Sequence, residues 1–206
     1  MVDIVPGILE KEWPTIEEKL KLVSSITEWA QIDVADNTLV PNTTFLDFPK
    51  FASITKPSLE AHLMVASPEK YIKPLADAGF KRLIAHVECQ DPRLFLDQVQ
   101  YEHVDAGIAI DGPTGLEEVE PFLEEVDLVL VMTIEAGFSG QPFLEETLEK
   151  IKKIRTNFPD LPIEVDGGIN DKTAPMVIAA GATRLVSTSY LFKDPTRIEA
   201  AIERLK

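Results

Sequence analysis

Short runs of β-branched and other apolar residues recur along the chain, separated by stretches in which apolar positions return every three or four residues among charged ones. The first pattern reads as buried strands and the second as amphipathic helices. Eight strands are predicted, over Ile4 to Leu9, Glu28 to Val34, Leu59 to Val65, Arg82 to Val87, Ala106 to Ile110, Leu128 to Met132, Ile163 to Asp166 and Arg184 to Ser187. Between most of them lie helical stretches such as Thr15 to Thr27, Pro68 to Ala78, Pro113 to Glu125, Leu144 to Phe158 and Lys172 to Ala180. The second strand is followed only by a short helix around Pro49 to Ile54. Gly79, Gly107 and Gly181 fall just before or within strands, where a helix must end and the chain reverse. Strand then helix, repeated without a break in composition, predicts an α/β fold: one (β/α)8 TIM barrel over residues 1–206, not an open sheet. The length, 206 residues, is near the lower end for that fold, so loops must be short and no second domain is expected.

In such a barrel, functional side chains collect where strands end and loops begin. Asp33 and Asp36 follow the second strand, His62 and Met64 end the third, and His86 and Glu88 the fourth; Met132 and Thr133 end the sixth and Asp166 the seventh. Strand alternation places Gln31 with Asp33, Glu60 with His62 and Met64, and Glu164 with Asp166. Polar groups are thus expected to point into one end of the barrel. Two carboxylates facing one another across a cavity can take a proton from one face of a carbon and return one to the other, the minimal equipment for epimerisation.

Composition narrows the partners. Twenty basic against 35 acidic residues give a net charge of -15, which disfavours nucleic acid and anionic lipid, and no local basic run offsets it. An anionic substrate would have to be held by backbone dipoles. The single cysteine, Cys89, allows no internal disulfide, and the first residues lack the basic and apolar segments of a signal peptide. No apolar run approaches the roughly 20 residues that span a bilayer. The expectation is a soluble cytoplasmic protein.

The chain resembles the ribulose-phosphate 3-epimerase family. The resemblance is carried by Asp33-Val34-Ala35-Asp36 with Val40-Pro41-Asn42, by Ala61-His62-Leu63-Met64-Val65, by His86-Val87-Glu88, by Val131-Met132-Thr133-Ile134 with Gly137-Phe138-Ser139-Gly140-Gln141-Pro142-Phe143, and by Val165-Asp166-Gly167-Gly168-Ile169. These occur in order over nearly the whole chain. The resemblance implies a barrel of the ribulose-phosphate-binding type that interconverts D-ribulose 5-phosphate and D-xylulose 5-phosphate through an enediolate, and a homo-oligomer. It also implies a divalent metal (zinc, iron or manganese) and a phosphorylated ketose as the partner molecule, and no partner protein can be inferred from it. Carried over by position, Asp33 and Asp166 are the acid/base pair and metal ligands, with His62 as a further ligand.

Several family positions differ. Gln31 stands where the fourth ligand, a histidine, is expected; Gly7 replaces a serine and Ala35 a methionine; Asn37 replaces a glycine, Glu135-Ala136 an Asn-Pro, and Thr188-Ser189 a Gly-Ser. A glutamine carbonyl is a neutral oxygen donor that suits zinc or iron less well than imidazole, so weaker metal binding is expected. Gly7, Met64 and Met132 are the candidate substrate pocket. Gly137, Phe138, Ser139, Gly140, Gly167, Gly168, Thr188 and Ser189 are the candidate phosphate site, with backbone N–H groups at helix starts binding the dianion.

Local chemistry alone leaves alternatives open. Asp33 and Asp36 also suit turn capping, His62 a hydrogen-bonded core position, and Gly167-Gly168 a tight turn. Met64 and Met132 also suit core packing. His86 reads as structural or pocket-lining, His103 as a surface turn, Glu88 and Cys89 as an unremarked strand end, and the acidic run Glu117 to Glu125 as a solvated helix face. The second functional class is a divergent family member with a lost or altered metal site that binds or epimerises another sugar phosphate, or is non-catalytic. Lyases and decarboxylases of related barrels carry an Asp-x-Lys-x-x-Asp strand, and Ala35 stands where their lysine would be.

Overall fold

A computed structural model describes residues 2–138 and 140–206. Eight parallel strands, β1 (Asp3–Ile8), β2 (Trp29–Ala35), β3 (Ser58–Met64), β4 (Arg82–His86), β5 (Asp105–Ile110), β6 (Leu128–Met132), β7 (Ile163–Asp166) and β8 (Arg184–Ser187), pair in sequence order. β8 closes onto β1, with Asp3 opposite Arg184 and Pro6 opposite Ser187, so the sheet is a complete barrel. The outer layer carries α1 (Trp13–Val23), α2 (Glu69–Asp77), α3 (Pro92–Tyr101), α4 (Thr147–Asn157), α5 (Ala174–Ala180) and α6 (Ile198–Glu203). Among the described residues no helix is long and apolar enough to cross a membrane.

Alternation along each strand divides the apolar residues into two cores. One lies between sheet and helices and includes Ile16, Leu20, Phe51, Phe95, Ile151 and Val177. The other fills the barrel itself with Val5, Ile84, Ala109, Leu128, Leu130, Met132 and Val186. The predicted strands match the observed ones to within a residue or so at either end. The helix expected over 113–125 is instead two 3-10 turns, Leu116–Glu118 and Glu120–Phe122. Gly115 precedes these turns and Pro121 lies within the second, removing an N–H from what would be the helix interior, while five glutamates repel one another.

Glu60 and Glu164 do not join the polar groups at the strand ends. They belong to a buried ion cluster one layer lower, where Arg82 Nη1 donates to Glu60 Oε2 at 2.9 Å, Arg184 Nη2 donates to the same oxygen at 2.7 Å, and Arg184 Nε donates to Glu164 Oε2 at 2.6 Å. Trp29 lies against both guanidiniums, 4.5 Å from Arg82 and 5.2 Å from Arg184. Burial, and then the neighbouring Glu60 carboxylate, push the Glu164 carboxyl well above its usual range. This charged plug closes the N-terminal end of the barrel and leaves the other end free for chemistry.

Candidate active site

At the C-terminal end of the barrel the strand register sets Asp33 beside His62 and Met132 beside Asp166. His62 Nδ1 lies 3.2 Å from Asp33 Oδ1 and 3.6 Å from Asp166 Oδ2. Gln31, fully buried, ties the two carboxylates together: its Nε2 donates to Asp33 Oδ1 at 2.8 Å and to Asp166 Oδ2 at 2.6 Å. Its Oε1 meets no hydrogen-bond donor. Turned about, the amide would set a carbonyl oxygen against two carboxylate oxygens, so the nitrogen faces inward unless a cation stands between them.

Two residues beyond the predicted set complete the arrangement. His86 Nε2 lies 2.8 Å from His62 Nε2, and His86 Nδ1 lies 3.0 Å from Glu88 Oε2. Glu88 in turn accepts the Asp111 N–H through Oε1 at 2.9 Å. Burial raises the Glu88 carboxyl, but hydrogen bonds and the charge of His86 outweigh it and bring it down to about 2. An ionised carboxylate only accepts, so His86 gives it the Nδ1 proton. The contact between the two Nε2 atoms needs one proton between them, so the His86–Glu88 pair is coupled through it to the ring of His62 that faces the aspartates. The signal in the sequence was the His-x-Glu alternation at the end of β4, which puts both side chains on one face.

Burial dominates the electrostatics. It raises Asp33 to about 7 against the pull of the Gln31 hydrogen bond, and it raises Asp166 to about 7 with a further contribution from the Asp33 charge. His62 is brought down to about 3 by burial and then by His86. Near neutral pH each carboxyl group can therefore hold or release a proton, while His62 is neutral. The ligand atoms of Asp33, His62 and Asp166 all lie within 4.8 Å of one another, and two carboxylates with one imidazole fit a divalent cation with open coordination positions.

These groups form one wall of a cleft of about 480 Å³, counting its open mouth. Met64 and Met132, each 3% exposed, line it above the acid/base pair. Gly137, Phe138, Gly140, Gly167, Gly168, Thr188 and Ser189 line the opposite side, whereas Ser139 lies outside the described residues. Gly7 does not reach the cleft surface, because the Thr188 side chain covers it. The amide donors here come from loop backbone and not from helix starts: α5 begins six residues after Gly168, and β8 leads into the three-residue turn Leu191–Lys193. Gly167 (φ 114°) and Gly168 (φ 66°) adopt positive φ in succession, a backbone path that glycine follows without strain as the chain leaves β7 along the cleft. A β-carbon on Gly167 would lie 2.3 Å from Ile134 Cγ1. Gly167→Ala is therefore expected to cost roughly 1–3 kcal/mol in chemical denaturation, and an unchanged midpoint would contradict this backbone.

Asp36 and Asn37, by contrast, serve the loop. Asp36 accepts from the Thr38 N–H at 3.0 Å and from Tyr71 Oη at 2.7 Å, and Asn37 takes the left-handed conformation at φ 66°, which asparagine tolerates in place of glycine. Asn42 Nδ2 donates to the Gly137 carbonyl at 2.8 Å and so ties this loop to the glycine-rich one.

By sequence, the family model and the curated relatives agree. The model of the ribulose-phosphate 3 epimerase family matches residues 3–192. The ribulose-phosphate 3-epimerase of Bacillus subtilis is 34% identical over 212 residues, covering 98% of both chains. The cytoplasmic isoform from Oryza sativa is 34% identical, covering 98% of this chain and 92% of its own. A crystal structure of 3-hexulose-6-phosphate synthase superposes with a TM-score of 0.75 over 98% of this chain and 97% of its own at 15% identity, a likeness of fold alone.

Proposed function

The chain belongs to the ribulose-phosphate 3-epimerase family, and from that premise we propose that it interconverts D-ribulose 5-phosphate and D-xylulose 5-phosphate by proton transfer between Asp33, Asp166 and C3 of the sugar. The observation that carries this reading is the pair of buried carboxylates joined by the Gln31 amide, both raised to about 7. A base and an acid of matched strength on opposite faces of one carbon suit a reaction that must run in both directions. Asp33 removes the C3 proton from one face and Asp166 supplies one to the other, with roles exchanged in reverse. Met64 and Met132 exclude water from the enediolate, which would otherwise be protonated at random. No lysine or arginine lines the cleft among the described residues, so the phosphate is held by neutral donors from Gly137, Gly140, Gly167, Gly168 and Ser189, beside Phe138 and Thr188.

Asp33, His62 and Asp166 would hold a zinc, iron or manganese ion, which when bound supplies a Lewis acid for the ketose oxygens. The name of the rice relative supports cytoplasmic residence.

The test is epimerisation of D-ribulose 5-phosphate by the purified protein, after chelation and after readdition of zinc, iron or manganese, in D2O. Turnover with one deuterium entering at C3 is expected. Tight binding of the sugar phosphate with no turnover under any metal would move the chain to the divergent, non-epimerising class.

A further inference from the structure

Gly7 at the top of β1 has no room for a side chain, and what fills the space is a hydroxyl from the other end of the chain. A β-carbon on residue 7 would lie 2.4 Å from Thr188 Oγ1 and 2.9 Å from Val186 Cγ1. The β-carbon of Thr188 itself stands farther back, at 3.7 Å. The hydroxyl thus occupies the volume into which residue 7 would project. β1 and β8 are hydrogen-bonded neighbours there, with Pro6 opposite Ser187, and Gly7 is opposite Gln31 on its other side. Thr188 lines the cleft together with Asp166, Gly168 and Ser189. Among the described residues its hydroxyl has no hydrogen-bond partner in the protein, although the group is only half-buried and faces the ligand space.

Two departures from the family pattern, glycine for serine at 7 and threonine for glycine at 188, therefore concern a single volume. We propose that they are one exchange: Thr188 presents to the bound phosphorylated ketose the hydroxyl that a residue 7 side chain would otherwise present, and positions 7 and 188 accept a side chain on one or the other but not both. Thr188 is then a specificity-determining residue, on the cleft lining it shares with Gly168 and Ser189. A hydroxyl rooted on β8 approaches the sugar from a different strand than one rooted on β1, while the acid/base pair stays where it is. This rests on the epimerase reading for the identity of the ligand; the packing half does not.

Two measurements separate the halves. The first is ligand-free melting of the unmodified protein, Gly7→Ser, Thr188→Gly and the double variant. Overpacking predicts that Gly7→Ser alone lowers the melting temperature by about 5 °C, and that the same change costs clearly less in the Thr188→Gly background, where only the Val186 Cγ1 contact remains. Equal losses in both backgrounds would overturn the exchange. The second is KM, with the dissociation constant for D-ribulose 5-phosphate by calorimetry, for Thr188→Val and Thr188→Ser. Loss of one neutral hydrogen bond predicts a roughly 3–10-fold weaker constant for the valine variant and recovery in the serine variant. Binding by Thr188→Val as tight as by the unmodified protein would remove the ligand contact. An unmodified protein that binds the sugar phosphate without turning it over would count against the epimerase reading alone, because melting and the calorimetric dissociation constant remain readable on it.

Discussion

Asparagine at position 33 or 166 should lower turnover by roughly 10³-fold and yet make the metal-free protein more stable at pH 8. Both effects have one origin. Burial raises Asp33 and Asp166 to about 7, well above the ordinary carboxylate value of 3.8. A raised carboxyl contributes its full stability below the unfolded value and loses it as pH rises through the folded one. The metal-free protein should therefore lose stability from these two groups between about pH 4 and pH 7. An asparagine carries no such penalty and can still accept from Gln31 through its carbonyl oxygen. The stability gained by Asp166→Asn over the unmodified protein should thus grow from pH 5 to pH 8 by on the order of 1–3 kcal/mol, read from urea denaturation in chelator. His62, lowered to about 3, works the opposite way on stability in both proteins, so the difference between them isolates the carboxylate. An asparagine variant with undiminished activity would remove the acid/base assignment. A difference that stays flat with pH would remove the claim that ionising these buried groups is costly.

The barrel was legible because a parallel strand buried on both faces reads as a compact apolar run, and eight such runs alternate with amphipathic stretches. Asp33, His62 and Asp166 were legible because each ends a strand, the place where a barrel puts its chemistry. Depth was less so. Alternation says that Glu60 and His62 share a face, but not that two residues of rise, roughly 7 Å, separate the barrel floor from its mouth. Arg82, at the start of the strand beside Glu60, and Arg184, at the start of the strand beside Glu164, were the clue that these glutamates belong to the floor. His86 and Glu88 looked ordinary because their role depends on a partner in β3. The Gly7 and Thr188 relation could not be seen at all before β8 closed onto β1. Fold likeness would not have supplied the chemistry either: 3-hexulose-6-phosphate synthase shares the barrel at 15% identity, a likeness of fold alone.

Gln31→His should raise the affinity for zinc by about 100-fold or more while weakening the metal-free protein. Loss of a mere supporting partner of a metal ligand commonly costs ~10–100-fold, so a whole added imidazole should exceed that range. The metal-free cost follows from donor count. The glutamine amide has two N–H groups and gives one to each aspartate, whereas a neutral imidazole has one. One buried carboxyl group then loses its partner, a deficit of roughly 1–3 kcal/mol at pH 8. Competition against a fluorescent chelator measures the first effect, and denaturation with and without zinc the second. The two must move in opposite directions if Gln31 acts as a clamp that holds the acid/base pair in the absence of a cation. If both proteins bind zinc equally well, Gln31 already serves as a ligand through Oε1, the atom that finds no donor in the metal-free arrangement, and the amide must rotate when the ion enters.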